Sequence, residues 1–372
     1  MNNKLHPSSD RPLEIELIRQ MAHKPLSTNE SKKLDELLLP PPDAKDAFII
    51  KSAGDWMQTA KREPHQGMLF GNFWFEGELC FLFADTNVGK SVLAVQIADS
   101  LSRGESIPGF DGPSEPQTVL YFDFELSARQ FEKRYSSDNH GKYGFSPNFY
   151  HLVFNPDAIG AHRFSSYADY INNALENILI TSGARIIIID NITCLRTSTE
   201  ASAGAIRLMR NLQAIKNRYG LSVLVLAHTP KRNPVKPVTR NDLQGSKMLI
   251  NFADSAFAIG ESQTAESGRY LKQIKQRSID EVYGAQNVCL GHIVKHSNFL
   301  SFQFTGFGAE ANHLQHYTEQ HRKNTETRIL KLHHQGLSLR QIVADTGISY
   351  STVQRLLKRL SKEEDGEVNS QK

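Results

Sequence analysis

Cysteine is scarce: 3 in 372 residues, at positions 80, 194 and 289. An odd, widely spaced set cannot staple a small secreted scaffold and fits a reducing compartment. An excess of one charge is also lacking. Lys and Arg number 43 against 40 Asp and Glu, a net charge of +3. That balance excludes a histone-like polycation and an acidic disordered chain. No apolar run approaches the roughly 18 residues of a membrane span. The longest candidates, 186–189 and 221–227, have the length of buried strands. The opening MNNKLHPSSDRP has no apolar signal core. There is no internal repeat and no low-complexity tract. The expectation is a soluble, cytoplasmic protein. Its 39% hydrophobic content suffices for a sizeable core, and its length allows two or three domains of roughly 150 residues.

Five regions follow from the patterning. Residues 1–46 are polar with two short helical apolar faces, and Pro40-Pro41-Pro42 stops any helix. This stretch reads as a helical arm or linker, or equally as a loose tail. Over 47–310, buried-type strands alternate with helices: strands at 78–84, 117–125, 184–190 and 221–228, helices at 91–101, 167–181 and 205–219. Further strands are suggested at 269–277, 288–294 and 300–304. Such alternation predicts an α/β domain with a mostly parallel sheet flanked by helices. A linker at 311–322 leads to a small all-α module at 323–362, and a polar tail closes the chain at 363–372.

Chemistry concentrates at strand ends. Ala84-Asp85-Thr86-Asn87-Val88-Gly89-Lys90-Ser91 fits [AG]-x4-G-K-[ST], follows an apolar strand and opens a helix that continues with Val92. Backbone N–H groups of such a loop wrap phosphates, and Gly89 permits close approach. Lys90 reaches the β- and γ-phosphates, and Ser91 ligates Mg²⁺. The bland alternative is a strand–helix turn with a solvated lysine. In Tyr121-Phe122-Asp123-Phe124-Glu125, period-two alternation sets Asp123 and Glu125 on one face. Either carboxylate could orient and deprotonate water, Glu125 first, or simply cap the next turn. Ile186–Ile189 followed by Asp190 has the form of a strand ending in a Mg²⁺ carboxylate, with Asn191 and Thr193 as possible support. Strand 221–227 ends in His228, placed to report on the γ-phosphate, though a lone histidine after a strand is commonly just a satisfied side chain.

Together these strand ends resemble the RecA-like ATPases, most closely the RepA-type plasmid replication helicases and related mobile-element ATPases, cousins of DnaB and KaiC. The resemblance rests on ADTNVGKS at 84–91, YFDFE at 121–125, IIIID at 186–190, LAHTPK at 226–231, LQGSKMLINFADS at 243–255 and LKQIKQRS at 271–278. It covers about 50–308. It implies a ring, commonly hexameric, with ATP between subunits. Carried across, Lys90 and Ser91 bind nucleotide and Mg²⁺, Glu125 is the catalytic base, Asp190 the second Mg²⁺ carboxylate and His228 the sensor. Arg277, with Lys275 next, matches the cation that reaches into a neighbour's site. Without the resemblance those two residues read as charge protecting an edge strand. A basic loop near 229–246 would face the ring channel, with Lys231, Arg232, Lys236 and Arg240 as single-stranded DNA contacts, or would be an ordinary surface loop.

The segment LSLRQIVADTGISYSTVQRLLKRL resembles the helix-turn-helix of resolvases and many regulators. Between 319 and 362 nine Lys and Arg face three acids. In that motif the third helix enters the major groove, so Tyr350, Ser351, Thr352, Gln354 and Arg355 would meet bases or backbone and Lys358 and Arg359 phosphate. Such units also dock proteins. RepA-type helicases do not generally need this appendage. Seven of the 14 histidines lie between 292 and 334, including His313-x-x-His316, but no matching Cys or acidic ligand pattern accompanies them, so no metal site is expected there. Two functions compete: a ring-forming, ATP-hydrolysing DNA motor, and an ATP-switched assembly on duplex DNA. Third is a signalling ATPase whose C-terminal module binds protein.

Overall fold

The computed structural model describes residues 49–62, 66–155, 157, 164, 167–192, 203–230, 232–243, 249–264, 267–315 and 319–358. The chain divides into two units, Met1–His65 and Gln66–Lys372. In the first, helix α1 (Ala53–Arg62) opens with Asp55 and closes with Lys61 and Arg62, charges matched to the helix dipole. The expected helical faces in 1–46 lie outside the described residues.

The second unit begins with a small hairpin, β1 (Met68–Phe70) and β2 (Trp74–Phe75). Then follow β3 (Leu79–Ala84), α2 (Lys90–Arg103), β4 (Val119–Asp123), α3 (Ala128–Arg134), the short β5 (Ser136–Ser137) and β6 (Gly141–Lys142), and β7 (Phe149–Val153). Next come α4 (Tyr167–Ser182), β8 (Ile186–Asp190), α5 (Ala203–Tyr219), β9 (Ser222–His228), α6 (Leu249–Phe252), β10 (Ser255–Glu261), β11 (Gly268–Lys275), β12 (Val288–His296) and β13 (Phe299–Gly308). The main sheet runs β13-β12-β11-β10-β3-β9-β8-β4-β7. From β10 to β7 all neighbours are parallel, whereas β10 to β13 pair antiparallel. This is the RecA-like α/β arrangement expected from the sequence.

Why the core strands read as continuous apolar runs is now visible. All six residues of β3 are buried, because helices cover both faces. Leu82, Leu224 and Ile188 join Leu93, Ile97 and Leu101 of α2 on one face. Phe81, Phe83, Val223 and Ile187 join Leu175, Leu179, Met209 and Leu212 of α4 and α5 on the other. Truncating a fully buried phenylalanine such as Phe81 costs about 3–5 kcal/mol.

The C-terminal module comprises α7 (Glu319–His334), α8 (Leu339–Thr346) and α9 (350–358). Ile329, Ile342 and Val353, one from each helix, form its buried centre. Ser338 caps α8 through a reciprocal box with Gln341. Gly347, at φ 68°, makes the turn before α9.

Candidate functional site

The strand order places four parallel C-terminal ends side by side. Ala84 pairs with His228 across β3 and β9, and Asp123 with Asp190 across β4 and β8. The chain leaves β3 towards β4 and returns past it from β9 to β10. Ligands of open α/β sheets bind in the crevice at such a reversal.

The phosphate loop occupies it. Asn87 (φ 64°) and Gly89 (φ 110°) both take left-handed backbone, a conformation that asparagine tolerates and glycine adopts freely. A Cβ on Gly89 would lie 2.5 Å from Ile293 Cδ1 and 3.0 Å from Phe302, so those side chains would have to shift, and the left-handed backbone favours glycine whatever the space. Gln96 of α2 ties the loop helix to β13 through both Phe302 backbone groups, at 3.0 and 2.8 Å. Arg269 of β11 donates Nε–H to the Val88 carbonyl at 3.0 Å. Neither Gln96 nor Arg269 carries a sequence signal for this role, since each answers to a partner more than 180 residues away.

Lys90 is buried, and its Nζ donates to the carbonyls of Ala84 (3.1 Å) and Asp85 (2.9 Å) and to His228 Nδ1 (3.1 Å). Burial pushes the ammonium below its ordinary pKa, against the pull of Glu125, Asp190 and Asp85. An ammonium only donates, so hydrogen-bond logic assigns Nδ1 of His228 as acceptor and puts the ring proton on Nε2. That nitrogen faces Glu125 Oε1 at 2.8 Å. Asn191 Nδ2 donates to the same oxygen. Lys90, His228, Glu125 and Asn191 thus form one connected network. Thr229, next to His228, donates its backbone N–H to Ala84 O at 3.1 Å and its hydroxyl to Asp85.

Asp190 has no exposed surface. Tyr121 donates to its Oδ2 at 2.7 Å, whereas Oδ1 is buried without a hydrogen-bond partner. Burial pushes its pKa up to about 6, moderated by the hydroxyls of Ser91 and Tyr121. An orphaned buried carboxylate oxygen beside the hydroxyl of Ser91 is the donor set of a hard cation. Ser91 and Asp190 therefore fit Mg²⁺, which when bound would neutralise phosphate charge.

The two carboxylates of 121–125 part company. Strand β4 stops at Asp123, whose Oδ1 accepts N–H from Glu125 (2.9 Å) and Leu126 (2.8 Å). The alternation expected through 125 is broken by this side-chain turn. Asp123 is consumed by backbone and by His151. Glu125 leaves the strand face and turns to His228, with 32% of its side chain exposed.

Arg277 is half-exposed and pairs with Asp254 at 3.1 Å and with Asn251 O at 3.0 Å. Lys275 lies at the C-terminal end of α6, donating to the carbonyls of Ile250 (2.7 Å) and Ala253 (2.6 Å). Burial, then Arg277, pushes it down to about 8. The basic loop is anchored rather than free. Arg232, 10% exposed, faces Asp242 at 3.8 Å and donates to Lys236 O at 2.8 Å. Arg240 donates to Ile274 O. Buried Glu310 accepts Val238 N–H at 2.8 Å and pairs with Lys272. Lys236 is exposed. On α9, Tyr350, Ser351, Gln354, Arg355 and Lys358 are exposed opposite Val353, and Thr352 is half-buried. Lys231, Thr193 and Arg359 lie outside the described residues.

The fold and this site define a phosphate-loop ATPase of RecA-like type that carries a C-terminal helix-turn-helix. The model of a family described as an AAA domain matches residues 51–234, and that of a homeodomain-like domain matches residues 323–367. Among solved structures, the chain is similar to a KaiC-like protein from the hyperthermophilic archaeon Pyrococcus horikoshii OT3. The two share 15% identity at a TM-score of 0.40, over 62% of this chain and 91% of that one. No curated protein matches. Among the described residues, no helix is long and apolar enough to cross a membrane.

Proposed function

We propose that this protein is a ring-forming ATPase that works as a DNA motor, a RepA-like helicase or translocase in the replication or transfer of a plasmid or mobile element. One observation carries the reading: the phosphate-loop lysine and the Glu125 carboxylate are joined through His228. ATP is held by the 84–92 loop, with Mg²⁺ on Ser91 and Asp190. Glu125 takes the proton of the attacking water. His228 gives up its Lys90 contact when the lysine turns to the γ-phosphate, which links the phosphate to the base. Arg277 of one subunit completes the site of the next. Lys231, Arg232, Lys236 and Arg240 contact single strands, and α9 with Arg359 contacts duplex.

A second reading is an ATP-switched assembly on duplex DNA without unwinding. The intramolecular bonds of Arg232 and Arg240 favour it, because anchored arginines are poorly placed to track a moving strand. Phosphate release measured without DNA, with single-stranded DNA and with duplex separates the two, with Lys90→Ala as blank. Strong stimulation by single strands supports the motor. Hydrolysis indifferent to single strands, with ATP-dependent duplex binding, overturns it and leaves the switch.

A further inference from the structure

Glu125 stands in the 124–127 turn between β4 and α3, yet that turn is held at every step. Asp123 is 2% exposed and receives three donors: Glu125 N–H, Leu126 N–H and, on Oδ2, His151 Nε2 at 3.0 Å. Phe124 N–H donates to Asp190 O at 2.7 Å. Ser127 closes the far end with a capping box to Gln130. His151 comes from β7, the outermost strand on that side of the sheet. Its ring stacks on Phe131 of α3, centroids 4.2 Å apart, and lies 5.9 Å from Tyr121. One imidazole therefore braces both the carboxylate that folds the turn and the helix that follows it.

We infer that Asp123 and His151 are positioning residues that aim Glu125 at the phosphate loop, an inference that rests on the reading of Glu125 as the base. A residue in a turn has backbone freedom that a strand residue lacks. A base must lie within hydrogen-bond reach of its proton, and displacement of about 1 Å can cost about a hundredfold in rate. The pair removes that freedom by satisfying the N–H groups on either side of the Glu125 peptide.

The test is steady-state hydrolysis by the full chain, with ATP affinity read from a fluorescent analogue and folding from thermal melting. Asp123→Ala is expected to lower kcat by about tenfold to a hundredfold with KM and analogue affinity changed less than about twofold. Asp123→Asn keeps an acceptor for both N–H groups and a polar amide partner for His151 Nε2, so it should restore most of kcat. His151→Ala should lower kcat by about threefold to tenfold, again without loss of affinity. An Asp123→Asn as impaired as Asp123→Ala would overturn the proposal, since the negative charge itself would then be required. So would losses of kcat that only track melting temperature across the set. Should Asp123→Ala fail to fold, Asp123→Asn and His151→Ala carry the test. Glu125→Gln separates the two levels: wild-type turnover in it removes the base assignment, whereas its inactivity beside a fully active His151→Ala and Asp123→Ala removes only the positioning role.

Discussion

A carboxylate with no exposed surface and one unpartnered oxygen weakens the fold that holds it. Burial raises the Asp190 pKa to about 6 from its ordinary 3.8, so the folded chain binds a proton there more tightly than the unfolded chain. The sign follows: this residue's contribution to stability falls as pH rises through the interval from 3.8 to about 6, and the loss is complete above it. About two pKa units correspond to roughly 3 kcal/mol as an upper bound. Without Mg²⁺ at pH 8, Asp190→Asn is expected to unfold at the same or higher urea concentration than wild type. Its Mg²⁺-dependent hydrolysis should fall by at least about a hundredfold. A large loss of stability in Asp190→Asn would mean that the ionised carboxylate holds the fold rather than a cation. Asp123, its neighbour in register, is also buried but meets three donors.

Elements explain which parts of the site were legible in the sequence. Strands β3, β8 and β9 are continuous apolar runs, each closed by a polar residue or the phosphate loop. Burial on both faces leaves no other way to write them. The end of β4 departs from the expected alternation because Asp123 bonds its own following backbone, which a period-two pattern does not register. Strands β7 and β10 carry weaker signals: Phe149–Val153 is half-exposed, and only two of the seven residues of SAFAIGE are large and apolar. Each becomes a strand through its neighbour, β4 or β3. The antiparallel extension was expected as strands, but its packing under Gly89 depends on contacts some 200 residues distant and has no local trace. Gly89→Ala tests that packing. Left-handed backbone and a Cβ 2.5 Å from Ile293 should together cost about 2–4 kcal/mol and abolish measurable ATP-analogue binding. Adding Ile293→Ala to Gly89→Ala should recover part of the stability but leave the backbone strain.

At the scale of the whole molecule, the open matter is assembly. Arg277 is 52% exposed and held by Asp254 of its own chain, a pairing worth little in solvent, which the proposed ring would exchange for a neighbour's phosphate. Arg277→Ala should lower turnover by about a hundredfold or more while melting unchanged. Mixed with Glu125→Gln, it should regain activity, because a site with an intact base then meets a neighbour with an intact arginine. Additive rates in the mixture would place Arg277 outside any shared site. Lys90, His228 and Glu125 are joined by hydrogen bonds and on the proposed function act as one hydrolytic unit, so the most direct measurement compares ATP binding with ATP turnover in wild type, Lys90→Ala and Glu125→Gln. Lys90→Ala should lose binding and turnover alike, whereas Glu125→Gln should bind ATP as wild type does and turn over less than about 1% as fast. Turnover by Glu125→Gln at the wild-type rate, or tight ATP binding and normal turnover by Lys90→Ala, would contradict it.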